Sequence, residues 1–232
     1  MSKFKFTVLA AAAAACMVAA LPAQATVIVA GTSGLPTQSF AAIAASQGVL
    51  LASTSVSGTA FTFSATMRAA VYRNTSGTLD FYYQVVRTGR GSLRGAAGNQ
   101  AIDSFTGSDF TGFTVDGYAS ATDLDGAGFF TAANNPPAST TTFGRSSDDA
   151  VLQTDFGTNG LAGTEISAVY VFRTNARAFT EGTFGIIDGS TLSGLAYAPS
   201  AVPEPATWGM LIGGFGMVGF ASRRRRAKTV AA

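Results

Sequence analysis

The sequence predicts an all-β protein, an antiparallel β-sandwich with a jelly-roll-like strand order over residues 26–198. Three observations favour this class. Apolar and polar residues alternate with a period of two in several segments, which is the pattern of strands that bury one face. Turn signals rich in Gly, Asn and Asp separate these segments. No charged amphipathic helix stands out, so the strands are expected to form packed antiparallel sheets.

The best-supported element is a hairpin of two long strands, residues 61–71 and 79–85, joined by the turn Asn74-Thr75-Ser76-Gly77. Both strands alternate apolar with polar side chains, which predicts one face in the core and one in solvent. The only helical candidate is Gln38–Gln47. The other predicted strands are residues 166–173, 177–187 and 192–197, with shorter ones near 101–106, 110–119 and 149–156.

The first 25 residues have the three parts of a secretory signal peptide. Two lysines precede an apolar run, residues 6–20, and a proline ends it before an Ala-x-Ala site. The predicted cleavage site is formed by Ala23, Ala25 and Thr26. A permanent membrane helix and a lipoprotein acylated at Cys16 are the alternatives.

The last thirty residues predict a membrane segment with a stop-transfer signal. An uncharged run at about residues 206–222 is close to the ~20 residues that span a bilayer as a helix. Four arginines follow it, and such a cluster is typical of the cytoplasmic side. A buried core helix and a nucleic-acid patch are the alternatives. The arginines are Arg223, Arg224, Arg225 and Arg226.

The same residues carry a family resemblance. The string VPEPATWGM, then an apolar segment and an arginine cluster, resembles the PEP-CTERM sorting signal of Gram-negative exported proteins, over residues 199–232. It is similar to the PEPxxWA type, although Gly209 stands where that type has alanine. The motif residues are Val202, Pro203, Glu204, Pro205 and Trp208. The resemblance implies processing near the Pro-Glu-Pro by an exosortase, a membrane-embedded cysteine protease-transpeptidase, in a bacterium that makes exopolysaccharide or biofilm matrix.

Two blocks of the body, Ala70–Val86 and Thr174–Gly189, also resemble a recurrent β-type ectodomain of PEP-CTERM proteins. That ectodomain has no settled activity. The second resemblance therefore implies β architecture and adds no chemistry.

The composition of the body, residues 26–202, excludes several kinds of chemistry. It contains eight arginines and twelve acidic residues, for a net charge of −4, so nucleic-acid binding has no electrostatic support. It has no Cys, His, Lys or Trp. Ser-His and Cys-His catalysis, histidine–metal sites, Schiff-base lysines and disulfides are therefore excluded. Carboxylates, tyrosines, arginines and hydroxyls remain.

Three candidate sites use these remaining groups. Asp123 and Asp125 precede a glycine as in the start of a calcium loop, with Asp148 or Asp149 as helpers, but the pattern lacks the third oxygen ligand and the closing Glu, so an acidic turn is the favoured interpretation. Glu165 and Glu181 are a possible glycosidase pair across neighbouring strands, against the alternative of solvated strand residues. Tyr72, Tyr82 and Phe110 are a possible sugar-stacking face, against the alternative of core packing. Asn74 begins a formal glycosylation sequon.

Together these observations predict an exported, non-catalytic protein of the cell envelope or matrix that needs no cofactor. Its expected partners are the Sec translocon, signal peptidase, an exosortase, the membrane and an exopolysaccharide, with no nucleic acid. The precursor is expected to cross the inner membrane once, with its N-terminus outside. A glycan- or calcium-binding surface module is the alternative, and a carboxylate-dependent glycoside hydrolase is the second alternative.

Overall fold

The computed structural model describes residues 26–124, 128–135, 141–158, 160–201 and 209–219. The signal-peptide residues, Asp125, the motif residues Val202–Trp208 and the arginine cluster lie outside the described residues. Three short 3-10 helices occur, Phe40–Ala42, Ala44–Ser46 and Ala96–Gly98. The strands are β1 Thr26–Val27, β2 Leu35–Pro36, β3 Gln38–Ser39, β4 Val49–Thr59, β5 Phe63–Arg73, β6 Leu79–Arg90, β7 Ser104–Gly107, β8 Val115–Ser120, β9 Thr142–Arg145, β10 Leu152–Asp155, β11 Val169–Thr174, β12 Ala178–Asp188 and β13 Ser190–Ser200.

The strands form two sheets, which confirms the all-β prediction. The seven-stranded sheet has the order β1-β8-β11-β6-β5-β4, and β3 also pairs with β8. The six-stranded sheet has the order β13-β12-β7-β10-β9-β2. The β3–β8 pair is parallel, and the other strand pairs are antiparallel. The jelly-roll-like strand order stays a prediction.

One hydrophobic core joins the two sheets, and aromatic rings fill much of it. Tyr83 of β6 stacks on Phe184 of β12, with ring centroids 5.3 Å apart, and Phe172 of β11 meets Phe143 of β9 at 5.3 Å. Each pair joins a strand of one sheet to a strand of the other. Because a buried aromatic side chain removes a large apolar area from water, these pairs hold the sheets together without any disulfide.

The face of the seven-stranded sheet that is turned away from the main core is also covered, at β6. The alternation of apolar and polar residues along β6 predicts a solvent-exposed face there, and this prediction is wrong. The residues of β6 that alternate with its core side chains, Asp80, Tyr82 and Gln84, are fully buried instead of facing solvent. A second hydrophobic cluster with Phe40 and Phe130 lies over them. The two segments that carry these phenylalanines, residues 37–47 and 128–135, shield β6 from water.

Three local predictions are wrong. Gln38–Gln47 forms β3 and two 3-10 turns instead of an α-helix, and Ser39 caps the first turn by accepting from the N–H of Ala41. Phe61 is 66% exposed and precedes β5, which begins at Phe63. The strand predicted near 110–119 begins only at Val115, because the preceding loop contains Asp109 and Gly112 with positive φ.

The hairpin and the late strands agree closely with the sequence. β5 pairs with β6 from Phe63↔Arg90 to Arg73↔Leu79. β12 pairs with β13 along its whole length, from Ala178↔Ser200 to Asp188↔Ser190.

Residues 209–219 are helical. Within the described part of the chain, no helix is both long enough and apolar enough to cross a membrane. The remainder of the predicted membrane segment, residues 206–208 and 220–222, lies outside the described residues.

Candidate functional site

Two features outside the core offer sites for function, the C-terminal segment and an open cleft. In the C-terminal segment the described helix, 209–219, leaves its large apolar side chains in the open. Met210, Phe215 and Met217 are all at least 71% exposed. A methyl group built on Gly209 or Gly213 would meet nothing within 4 Å. Among the described residues, none therefore closely approaches the helix at these two glycines, and its large apolar side chains are exposed.

The cleft lies at one edge of the seven-stranded sheet and has a volume of about 770 Å³. β3 pairs with β8 for only two residues, so the chains diverge beyond Ser39 and Ala119. The space between them is the cleft. Its lining residues are Thr37, Gln38, Ser39, Phe40, Ala41, Ala44, Gln47, Ala119, Ser120, Ala121, Thr122, Asp123 and Leu124.

Hydrogen bonds hold both walls of the cleft. The side-chain amide of Gln47 donates to the backbone oxygen of Leu124 at 2.9 Å and ties one wall to the other. On the β8 wall, the hydroxyl of Ser120 lies 3.0 Å from that of Thr122 and accepts from the N–H of Thr122. Both walls of the cleft are therefore held in place by hydrogen bonds, within each wall and from one wall to the other.

The chemistry of the lining is nearly neutral. Its polar side chains are hydroxyls and amides, with Asp123 as the one charged group among the described lining residues, and the remainder are mostly small and apolar. A phosphate or sulfate ligand would need cations or several converging N–H groups, and a metal would need more carboxylates. Hydroxyl and amide groups above an alanine surface suit a neutral, hydroxyl-rich ligand.

A buried ion pair fixes the 37–47 wall to the sheet. Arg173 donates to both carboxylate oxygens of Asp80, at 2.8–3.3 Å, and also to the hydroxyl of Ser46 at 2.8 Å. Burial acts to lower the pKa of Arg173, but hydrogen bonding and the charge of Asp80 outweigh it and the pKa is raised. Asn74 donates to Asp80 at 2.8 Å as well. The carboxylate, which is 0% exposed, is therefore fully engaged.

The core-packing interpretation of Tyr72, Tyr82 and Phe110 is confirmed and the sugar-stacking alternative is wrong, because the three rings are buried and do not share a surface. Tyr72 and Tyr82 are 4.4 Å apart in the second cluster, and both are buried. Burial and the nearby Asp80 charge raise the pKa of Tyr82, and its hydroxyl has no hydrogen-bond partner among the residues that the structure describes. Phe110 lies in the main core against Phe81, on the opposite side of the sheet.

The predicted glycosidase pair is not on neighbouring strands. Glu165 precedes β11, and its carboxylate accepts from the Asn135 side chain at 2.8 Å and the Ala162 N–H at 2.7 Å. It therefore stabilises a loop. Glu181 is an exposed residue of β12, which pairs with β13 and β7 in the other sheet.

The helpers proposed for calcium are engaged in their own turn. Asp149 forms an ion pair with Arg145 at 2.9 Å and accepts from the Gly112 N–H, and Asp148 accepts from Ser146 and from the Ala150 N–H. Asp123 is exposed on the cleft wall. The described residues contain no group of three or more possible metal ligands. Since Asp125 lies outside them, the calcium hypothesis stays a prediction.

The sequon residue Asn74 is 5% exposed. Its amide donates to Thr78 and Asp80, and its oxygen accepts from the N–H groups of Ser76 and Thr78. The asparagine therefore organises the β5–β6 turn, and a glycan on its amide would break these contacts.

Of the cleft residues, the sequence analysis singles out Asp123 and does not identify the others as a site. The pattern of residues 38–47 suggests a helix, whereas in the structure Ser39 caps a turn and Gln47 links the two walls of the cleft. Ser39, Ser120 and Thr122 are the signal in the sequence that could indicate these turns. Serine and threonine side chains hydrogen-bond to nearby backbone groups and so compete with regular secondary structure.

Comparison with known proteins identifies the C-terminal segment. Residues 201–226 match the family model described as the PEP-CTERM protein-sorting motif. The chain carries a PEP-CTERM sorting motif. Such a motif implies an exported protein that an exosortase processes at the cell envelope. The comparisons with the curated proteins and with the solved structures found no match.

Proposed function

We propose that this chain is an exported, non-catalytic protein of the cell envelope or extracellular matrix, with a β-sandwich ectodomain. The signal peptide sends it across the inner membrane, and the apolar segment near residues 206–222 retains it there until the exosortase acts. The mature body then joins a surface or matrix layer that contains exopolysaccharide. The observation that carries this proposal is the sorting motif at residues 201–226.

The composition of the body supports the non-catalytic part of the proposal. With no His, Cys or Lys, the groups left for catalysis are carboxylates, tyrosines, arginines and hydroxyls, and carboxylates would be the first candidates for proton transfer. Glu165 is engaged in a loop, Asp80 in a buried ion pair and Asp149 in an ion pair with Arg145. Carboxylates committed to structural contacts are poorly placed to exchange protons with a substrate.

The decisive experiment compares intact mass and location in the native host, with and without the exosortase. The proposal expects a product that starts at Thr26, ends near Val202–Pro205 and is lost from the surface without the enzyme. In the host that has the exosortase, a variant with Pro203 and Pro205 changed to alanine should remain unprocessed, as the wild-type protein does in the host without the enzyme. A product that retains Arg223–Arg226 in both hosts would contradict processing and leave a membrane-anchored protein.

Glycan binding is the second candidate function, and the neutral cleft is the observation that favours it. Retention on polysaccharide columns and isothermal titration with oligosaccharides test it directly. A Thr37→Trp variant should fill the cleft and abolish binding, whereas Thr183→Trp, on an exposed strand position of the other sheet, should leave it unchanged. Repeating the titration with calcium and with chelator tests the alternative use of Asp123 and Asp125.

A further inference from the structure

The edge strands on the two sides of the β-structure differ in length. On one side the sheets end in strands of two residues, β1 and β3 in one sheet and β2 in the other, and β2 contains Pro36. On the opposite side they end in β4 and β13, which have eleven residues each. Short strands and prolines are devices that prevent an edge from pairing with another chain. One side of the molecule ends in such short strands. On the other side only one end of each long strand carries a protective feature, Pro199 in β13 and the register shift between Leu50 and Ala52 in β4.

The chemistry of the long edge strands also permits pairing. Neither strand contains a charged residue, and β4, with the sequence VLLASTSVSGT, has no proline. The whole body contains no lysine, the residue that most often protects an edge. At the start of β4, Val49, Leu50 and Leu51 are 69%, 45% and 37% exposed. Among the described strands, none covers β4 on its free side.

The two edges lie side by side. Tyr197 of β13 donates its hydroxyl to the backbone oxygen of Ser53 in β4 at 3.1 Å. A methyl group on Gly194 of β13 would come within 3.0 Å of Val56, and one on Gly58 within 2.5 Å of Leu192. The free side is therefore a single surface formed by the edge strands β4 and β13, which lie side by side and close the core between them.

We propose that this double edge pairs with the same edge of a second copy of the chain, with β4 antiparallel to β4 of its partner. A twofold axis perpendicular to the sheets would pair β4 with β4 and β13 with β13 of the second copy. A single extended peptide, in contrast, could pair with only one of these two edge strands. Self-pairing requires a surface that does not repel itself, and strands without charge meet this condition. The proposal goes beyond sorting, because it needs neither the motif nor its processing.

The burial pattern of β4 shows which residues share a face, and the register is placed by putting the axis near the middle of the strand, at Ser55. Ser53, Ser55, Ser57 and Thr59 are exposed on the outer face, and the residues between them point toward the core side. An axis through Ser55 places Ser53 opposite Ser57 on the outer face and Thr54 opposite Val56 on the inner face. On the outer face, the hydroxyl of Ser57 forms a hydrogen bond with that of Thr66 at 2.8 Å, and the hydroxyl of Thr59 with that of Ser64 at 2.9 Å. This row of hydroxyl groups would continue across the new strand pair.

Sedimentation velocity of the full chain in a non-ionic detergent, over the micromolar range, tests the proposal. Wild type should be a dimer. Ser55→Lys should raise the dimer dissociation constant by about tenfold or more, because two lysines would meet at the axis. Thr183→Lys is the matched control: it adds the same charge to an exposed position of β12, which has partners on both sides, and should leave the dimer intact.

Cysteine cross-linking gives a second measurement that does not depend on destabilising the dimer. In a Cys16→Ala background, Ser55→Cys should form a disulfide-linked dimer under mild oxidation, and Thr183→Cys should not. A monomeric wild type would overturn the proposal. So would a dimer that survives Ser55→Lys but is lost in Gly213→Leu, since the helix at 209–219 would then be the interface.

Discussion

The buried Asp80–Arg173 pair supports a sharp prediction about stability. Arg173→Met removes three hydrogen bonds of 2.8–3.3 Å from a carboxylate that is 0% exposed. The side-chain amide of Asn74 would still donate to the Asp80 carboxylate, but the charge of the arginine would be lost. Leaving a buried charge without its partner typically costs about 3–5 kcal/mol. A loss of this size is a large fraction of the roughly 5–15 kcal/mol that holds an ordinary domain together.

The same variant also frees the cleft wall, because Arg173 donates to the Ser46 hydroxyl. The assay is equilibrium urea unfolding of the full chain in non-ionic detergent, followed by far-ultraviolet circular dichroism. Arg177→Met is the matched control, because Arg177 is exposed, and it should change stability by less than about 0.5 kcal/mol.

A second variant separates the charge from the loss of packing. Asp80→Asn combined with Arg173→Met removes the unpaired charge and should recover about 2 kcal/mol or more of the loss seen in Arg173→Met alone. If the double variant is no more stable than the single one, the cost lies in lost packing around the arginine stem. The reasoning from a buried charge would then be refuted.

Three further predictions follow from burial and close approach, each measured by urea or thermal unfolding. Phe105→Ala should cost about 3–5 kcal/mol, since its ring lies 4.9 Å from Phe184 inside the core, whereas Phe61→Ala at an exposed position should be nearly neutral. Gly117→Ala should cost about 1–3 kcal/mol, because the added methyl group would come within 2.5 Å of the Phe143 ring. Burial, then the charge of Asp103, raises the pKa of Asp188, so the folded state disfavours its ionised form. Wild-type stability should therefore gain from this group as pH falls through its raised pKa, and Asp188→Asn should raise the melting temperature at neutral pH and remove that gain.

The sequence was most informative where one strand has one buried face. In β5 the core residues Phe63, Ala65 and Met67 alternate with less buried ones, as the pattern predicts. β6 shows the limit of this reasoning. Tyr82 and Gln84 are polar enough to suggest a solvent face, yet both are 0% exposed. Whether a second layer covers a strand depends on distant segments, here residues 37–47 and 128–135, and periodicity within the strand does not contain that information.

The candidate sites show the same limit. Tyr72, Tyr82 and Phe110 were grouped by residue type, but Phe110 lies on the opposite side of the sheet from the two tyrosines. Glu165 and Glu181 were paired through an assumed strand adjacency, and the sheet order places their segments apart. The sorting motif, in contrast, was legible because it is local. Its prolines, apolar run and arginines act through their order along the chain, and no tertiary fold is needed to bring them together.

The position of the motif relative to β13 links sorting to the proposed interface. β13 ends at Ser200, and the match to the motif begins at residue 201. Residues 201–208, fully extended at about 3.3–3.6 Å per residue, separate the strand from the described helix by at most roughly 29 Å. The long edge formed by β4 and β13 is therefore held close to the sorting motif in the chain that carries it. Because β13 pairs with β12 along all eleven residues, cleavage beyond it removes no strand pairing. Release would leave the double edge intact, and copies tethered at one surface would meet at a high effective concentration.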